Sequence, residues 1–212
     1  MFLNKLYLGR KLARTLVLGI TLAVSLGIAS AGTLGIDYTN PGSVSTNGAW
    51  SLGYEFQALQ SVSVTGLAFF TGGGISQNHD VGLWDSNGNL LASTTITSGS
   101  PVIGTGGFLW ESIVPVILTA GDYYYVAGET GSDNYSYEPS GVTINPAISF
   151  VAAAYVSSGT LAFPDSTDPS TLGYFGGNVV LSTAAPEPSS MAMLLGGGMM
   201  LLGFVRRRTR LG

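Results

Sequence analysis

The 212-residue chain carries 8 Lys and Arg against 12 Asp and Glu, with one His and no Cys, and only 9% of it is charged. Every Lys and Arg lies near an end, at Lys5, Arg10, Lys11, Arg14, Arg206, Arg207, Arg208 and Arg210, so the middle is acidic without a fixed cation. That distribution excludes nucleic acid as a partner, because phosphate binding needs Lys or Arg, and the lack of Cys excludes disulfides, thiol nucleophiles and thiolate metal sites.

Residues 1–31 read as a secretory signal peptide. Lys5, Arg10, Lys11 and Arg14 form a basic start, Thr15 to Ile28 an apolar run, and Ala29-Ser30-Ala31 a small-residue site with cleavage expected before Gly32. The secretion translocase is the partner this segment implies.

Residues 32–184 form the expected exported domain. Gly32 to Gly48 is rich in turn signals. Trp50, Leu52, Tyr54 and Phe56 then alternate with Ser51, Gly53 and Glu55, the period of two of a half-buried strand. In the next segment Val62 and Val64 share one phase and Leu67 and Phe69 the other, so Gly66 marks an expected bulge or bend. Gly72-Gly73-Gly74 is a loop; it lacks the Lys-Ser/Thr of a phosphate-binding loop. His79 to Ile96 reads as a hairpin turning at Asn87-Gly88. Pro115 demotes the strand after Gly107 to an edge or a bulge. Ala120-Gly121-Asp122 turns into an aromatic strand at Tyr123 to Ala127. Ser132 to Pro146 is expected as loop, Ile148 to Val156 as strand, Leu161 to Thr171 as loop, and Leu172 to Thr183 as the last strand. No segment keeps a helical period. The expectation is an all-β antiparallel β-sandwich, jelly-roll-like, of eight or nine strands, flanked by the signal peptide and a single C-terminal apolar helix.

Residues 185–212 are a separate tail. Pro186-Glu187-Pro188 is followed by an uncharged apolar run from Met191 to Val205 and then by Arg206, Arg207, Arg208 and Arg210. About 15 residues at ~1.5 Å each span roughly 22 Å, short of a ~30 Å hydrocarbon core; the membrane segment is placed at about 189–205. The Arg cluster holds the cytoplasmic side. This order of motif, apolar run and Arg cluster resembles the PEP-CTERM sorting signal of bacteria that make exopolysaccharide. The resemblance implies that a membrane-embedded exosortase recognises Pro186, Glu187 and Pro188 and removes the tail. It implies a cell-surface or extracellular-matrix (biofilm) destination after transient inner-membrane anchoring. The segments GYEF, VGLWDSNGNLLAS and PVILTAGDYYYVAG also resemble a secreted bacterial domain of unknown function over about residues 49 to 130, which implies a β-sandwich and no established activity.

Candidate chemistry in the middle is sparse. His79 beside Asp80 has the composition of a base with an orienting carboxylate, yet no Gly-x-Ser-x-Gly elbow accompanies it. Glu55, Glu111, Glu129 and Glu138 are the glutamates available for glycoside cleavage, and Trp110 precedes Glu111. Asp85, Asn87 and Asn89 alternate like the start of a calcium loop but lack its later Glu, and make a good hairpin turn. Asp165 and Asp168 are a weaker cation pair. Trp50, Trp84, Trp110 and Tyr123 to Tyr125 are candidates for a sugar platform, against a core role for most of them. The reading is a non-enzymatic exported protein, with no cofactor and no metal, whose further partner is exopolysaccharide or another glycan. The alternatives are a permanently anchored bitopic envelope protein and a secreted glycan-binding or glycan-active protein.

Overall fold

A computed structural model describes residues 32–182. The expected cleavage residues Ala29 and Ala31, the motif Pro186-Glu187-Pro188 and the arginines Arg206 to Arg208 lie outside the described residues; Gly32 is the first within them. In chain order the strands are β1 (Thr33–Leu34), β2 (Ile36–Asn40), β3 (Ser43–Ser45), β4 (Trp50–Ala58), β5 (Val62–Phe70), β6 (His79–Asp85), β7 (Leu90–Ile96) and β8 (Val102–Ile103). They continue as β9 (Phe108–Leu118), β10 (Tyr123–Glu129), β11 (Tyr135–Tyr137), β12 (Ser140–Ile144), β13 (Ile148–Ser157), β14 (Ser166–Asp168), β15 (Tyr174–Phe175) and β16 (Gly177–Ser182). The described residues contain no helix.

Two antiparallel sheets form a sandwich-like body. One has the order β1-β16-β5-β9-β8 and the other β14-β13-β4-β10-β6-β7. Two small sheets, β15-β11-β3 and β12-β2, flank them. The core lies between the large sheets, where Tyr54 and Phe56 of β4, Leu83 of β6 and Val126 of β10 face Phe69 of β5 and Val179 of β16. Apolar burial of this kind contributes on the order of 25 cal/mol per Å², and with no Lys or Arg between residues 32 and 182 it is the main support the chain has.

The change of phase in β5 is a bulge. The register slips between Val64 and Gly66 against β9, and between Leu181 and Val180 against β16. The extra residue, Thr65, lets Val62 and Val64 before it and Leu67 and Phe69 after it all reach the interior. Opposite Thr65, β9 carries Ile113, Val114 and Pro115, so the proline falls at the irregularity, where no regular ladder bond is asked of it.

The expected loops needed correction. Ser132 to Pro146 contains β11 and β12, and Leu161 to Thr171 contains β14; the turn-rich stretch Gly32 to Gly48 holds β1, β2 and β3 between its turns. Eight strands have six residues or more. The others have two to five residues, too short to show a period of two.

Candidate functional site

The inner face of the six-stranded sheet is not covered along its whole length by the five-stranded one. At the Trp50 end of β4, the inward positions Trp50 and Leu52 lie beside Tyr155 of β13, which pairs directly with Leu52. Here β15 packs on β4 and β13 instead. Tyr174 of β15 and Tyr135 of β11 close a cleft of about 190 Å³ lined by Asn47, Trp50, Leu52, Tyr135, Tyr155 and Tyr174. The rings are inclined to one another. Trp50 and Tyr155 sit 6.4 Å apart at 76°, and Tyr155 and Tyr174 5.6 Å apart at 69°. Tyr137 stacks on the outer side of Tyr174 at 5.1 Å.

One amide organises the polar side of the cleft. The Asn47 Oδ1 accepts from the Trp50 indole N–H at 3.1 Å and from the Tyr135 hydroxyl at 3.0 Å. An indole N–H only donates, so the orientation of this amide is fixed by its partner. Both hydrogens of the Asn47 amide nitrogen are then left for another acceptor. Burial, and then the neighbouring Tyr137, Asp168 and Tyr155, push the Tyr174 hydroxyl up from its ordinary value. It stays neutral and able to donate. Aromatic walls with a few fixed polar groups are the make-up of a small-molecule pocket.

The expected sugar platform is dispersed. Of its members only Trp50 reaches the cleft. Trp84 lies on the outer face of the six-stranded sheet with Tyr125, and Phe163 packs on both, at 6.2 and 5.0 Å. Tyr124 points inward against Phe56 and its hydroxyl accepts from the Thr119 N–H at 2.9 Å, while Tyr123 is exposed. Three successive strand residues cannot share a face. Trp110 packs over Gly66 on the other large sheet. Tyr135, Tyr155 and Tyr174 were not singled out from the sequence. Their spacing carries no signal, because three separate strands bring them together.

His79 does not work with Asp80. Adjacent strand residues face opposite ways, and Asp80 is exposed and accepts from the Thr95 hydroxyl. His79 is fully buried and stacks on Phe69 at 4.0 Å. Its Nδ1 meets the Glu129 carbonyl at 2.8 Å and its Nε2 the Asp133 carboxylate at 2.9 Å. Ser76 also binds Asp133, through its hydroxyl and its N–H. Serine and histidine thus share the carboxylate, which is not the nucleophile–base–acid order of a hydrolytic triad.

The glutamates are separated as well. Glu55 and Glu129 share one face of the β4–β10 pair, opposite Tyr125 and Ser51. Four rungs at ~3.3 Å put them ~13 Å apart, beyond the roughly 5.5 to 9.5 Å at which carboxylate pairs cleave glycosides. Glu111 sits on the other large sheet, bonded by the Ser100 hydroxyl, on the opposite face of β9 from Trp110. Glu138 lies in the turn after β11 with a φ of 49°. At Asp85 the carboxylate accepts from the Asn87 N–H and from both the N–H and the side-chain amide of Asn89, within 2.9 Å. With Gly88 at φ 80°, this is a hairpin turn whose carboxylate is already occupied. Asp168 accepts both bonds from Ser170, and Asp165 contacts Ser166. No cluster of three His, Cys, Asp or Glu occurs among the described residues.

Residues 38–175 match the domain of unknown function DUF4082. The chain belongs to this family. The DUF4082 match runs well beyond the segments GYEF to PVILTAGDYYYVAG, from β2 to the end of β15. It includes every residue of the aromatic cleft, together with His79 and Asp133. No curated protein matches the chain.

Proposed function

We propose that this is an exported, non-enzymatic protein of the cell surface or extracellular matrix, delivered by a C-terminal sorting signal. Two cationic ends flank a cation-free DUF4082 domain. The order Pro186-Glu187-Pro188, apolar run, Arg206-Arg207-Arg208 carries the reading. A translocase takes residues 1–31, the apolar tail lodges transiently in the inner membrane, and an exosortase-type enzyme cuts at the Pro-Glu-Pro element. The protein is thus a substrate of processing, and its folded domain serves as a binding or structural module in an exopolysaccharide-rich layer. Its geometry supports a module over an enzyme, since His79 and the glutamates are engaged or far apart.

The strand order also supports the finer, jelly-roll reading. Taking β1, β4, β5, β6, β7, β9, β10 and β16 as eight successive strands, the sheets run first-eighth-third-sixth and second-seventh-fourth-fifth. That is the jelly-roll arrangement, with β13 and β14 added beyond β4.

Intact mass of the protein from its native host, with medium and membranes taken separately, tests the sorting account. The expected species begins at Gly32, ends near Pro188 and is found in the medium or matrix. A membrane species retaining Arg206 to Arg210 overturns release and leaves a bitopic envelope protein.

A further inference from the structure

We infer that the cleft formed by Trp50, Tyr155 and Tyr174 with Asn47 is a binding site for a neutral sugar ring of a polysaccharide. The inference names a ligand class for the module proposed above, and does not depend on whether the tail is cut.

A pyranose has an apolar C–H face and a rim of hydroxyls. It therefore wants aromatic surface on one side and uncharged donors and acceptors at the edge. Trp50, Tyr155 and Tyr174 are each partly exposed and inclined at 69–76°, so they make a trough rather than a closed core. At its edge the Asn47 amide is held by two bonds to its oxygen, which leaves its N–H groups set in place before any ligand arrives. A donor fixed in this way loses little freedom on binding. A volume of about 190 Å³ takes a single ring and not a folded segment of protein.

Charge decides which sugars fit. Between residues 32 and 182 there is no Lys or Arg, and Asp168 of β14 borders β13, which supplies Tyr155. A uronate or sulfate would find no cation there and would meet an acidic neighbour. A neutral hexose or N-acetylhexosamine loses nothing from either.

The test uses the full chain in a zwitterionic detergent without a sugar headgroup. Retention is measured on cellulose, chitin, β-1,3-glucan and starch, and on alginate as an anionic polymer, with indole fluorescence followed in parallel. The expected result is retention by at least one neutral polymer and none by alginate. Tyr174→Ala and Asn47→Asp should each weaken it at least about tenfold. The second variant keeps an oxygen for Trp50 and Tyr135 and replaces the two N–H donors with a second, charged oxygen that cannot donate, so a folded Asn47→Asp separates binding from folding. Trp84→Ala, on the opposite face of the sheet, should leave retention unchanged. Absence of retention on all four neutral polymers overturns the inference. So does equal retention on alginate, or unchanged binding in a folded Asn47→Asp together with a folded Tyr174→Ala. Trp84 is itself buried, so this variant is judged only when folded; loss of binding in a folded Trp84→Ala alone would move the site to the outer face and overturn the inference as well.

Discussion

Asp133 collects four bonds, from the N–H and hydroxyl of Ser76, the N–H of Gln77 and Nε2 of His79. Burial raises its carboxyl, and the bonds from Ser76, His79 and Gln77 outweigh that, so it titrates below the usual carboxylate range. A depressed pKa contributes stability that is present above the unfolded value of ~3.9 and lost as pH falls through the folded one. Asp133→Ala should therefore lower stability by about 1–3 kcal/mol at pH 7, because His79 and Ser76 lose their acceptor. Urea unfolding should show the gap to wild type shrinking below pH ~4. Glu138 offers a test in the other direction. Its φ of 49° is strained for a side chain, so Glu138→Gly should raise the unfolding free energy by up to about 1 kcal/mol, read from the same transition. The sequence pointed to His79 as the single imidazole but to the wrong carboxylate. Asp80 is its neighbour along the chain; Asp133 is its neighbour only once β6 and β10 pair.

At the scale of elements, one buried amide joins the two sheets. The Tyr54 hydroxyl of β4 donates to Asn178 Oδ1 of β16 at 2.6 Å, and Asn178 Nδ2 donates to the Ile36 carbonyl of β2 at 2.6 Å. Asn178 is fully buried. Asn178→Leu keeps the number and branching of the side-chain heavy atoms and leaves the Tyr54 hydroxyl and the Ile36 carbonyl without partners, at a cost on the order of 3 kcal/mol. Beside it, the backbones of β16 and β10 nearly touch: a Cβ on Gly177 would lie 2.4 Å from the Ala127 carbonyl carbon. Gly177→Ala should force the sheets apart, lowering the thermal midpoint by several degrees at least. A conservative result, with the midpoint unchanged, would show that this corner yields. The long strands were legible because alternation over seven or more residues outweighs chance. The roles of Asn178 and Gly177 were not, since a strand reading places them in the chain without saying which strands of the other sheet lie against them.

For the molecule as a whole, charge of one sign dominates. Eleven of the 12 acidic residues lie between Gly32 and Ala184, where no Lys or Arg offsets them. Added salt screens their repulsion over ~10 Å at 0.1 M, so the urea midpoint should rise between about 10 and 150 mM NaCl, the reverse of a protein held by surface ion pairs. A fall over that range would show that attractive contacts had been missed. Periodicity and turn chemistry by themselves determined the all-β class, the bulge at Gly66 and the hairpin at Asn87-Gly88, while the sorting expectation at the C-terminal end came from its resemblance to a known signal. Each is written in residues close together, where turn chemistry, alternation or charge acts locally. Tertiary structure alone decided the partner of His79, the scattering of the expected tryptophan platform, and the cleft of Trp50, Tyr135, Tyr155 and Tyr174. Those residues lie up to 124 positions apart (174 − 50), and only the pairing of β4 with β13 and the packing of β15 across them bring their rings within about 6 Å.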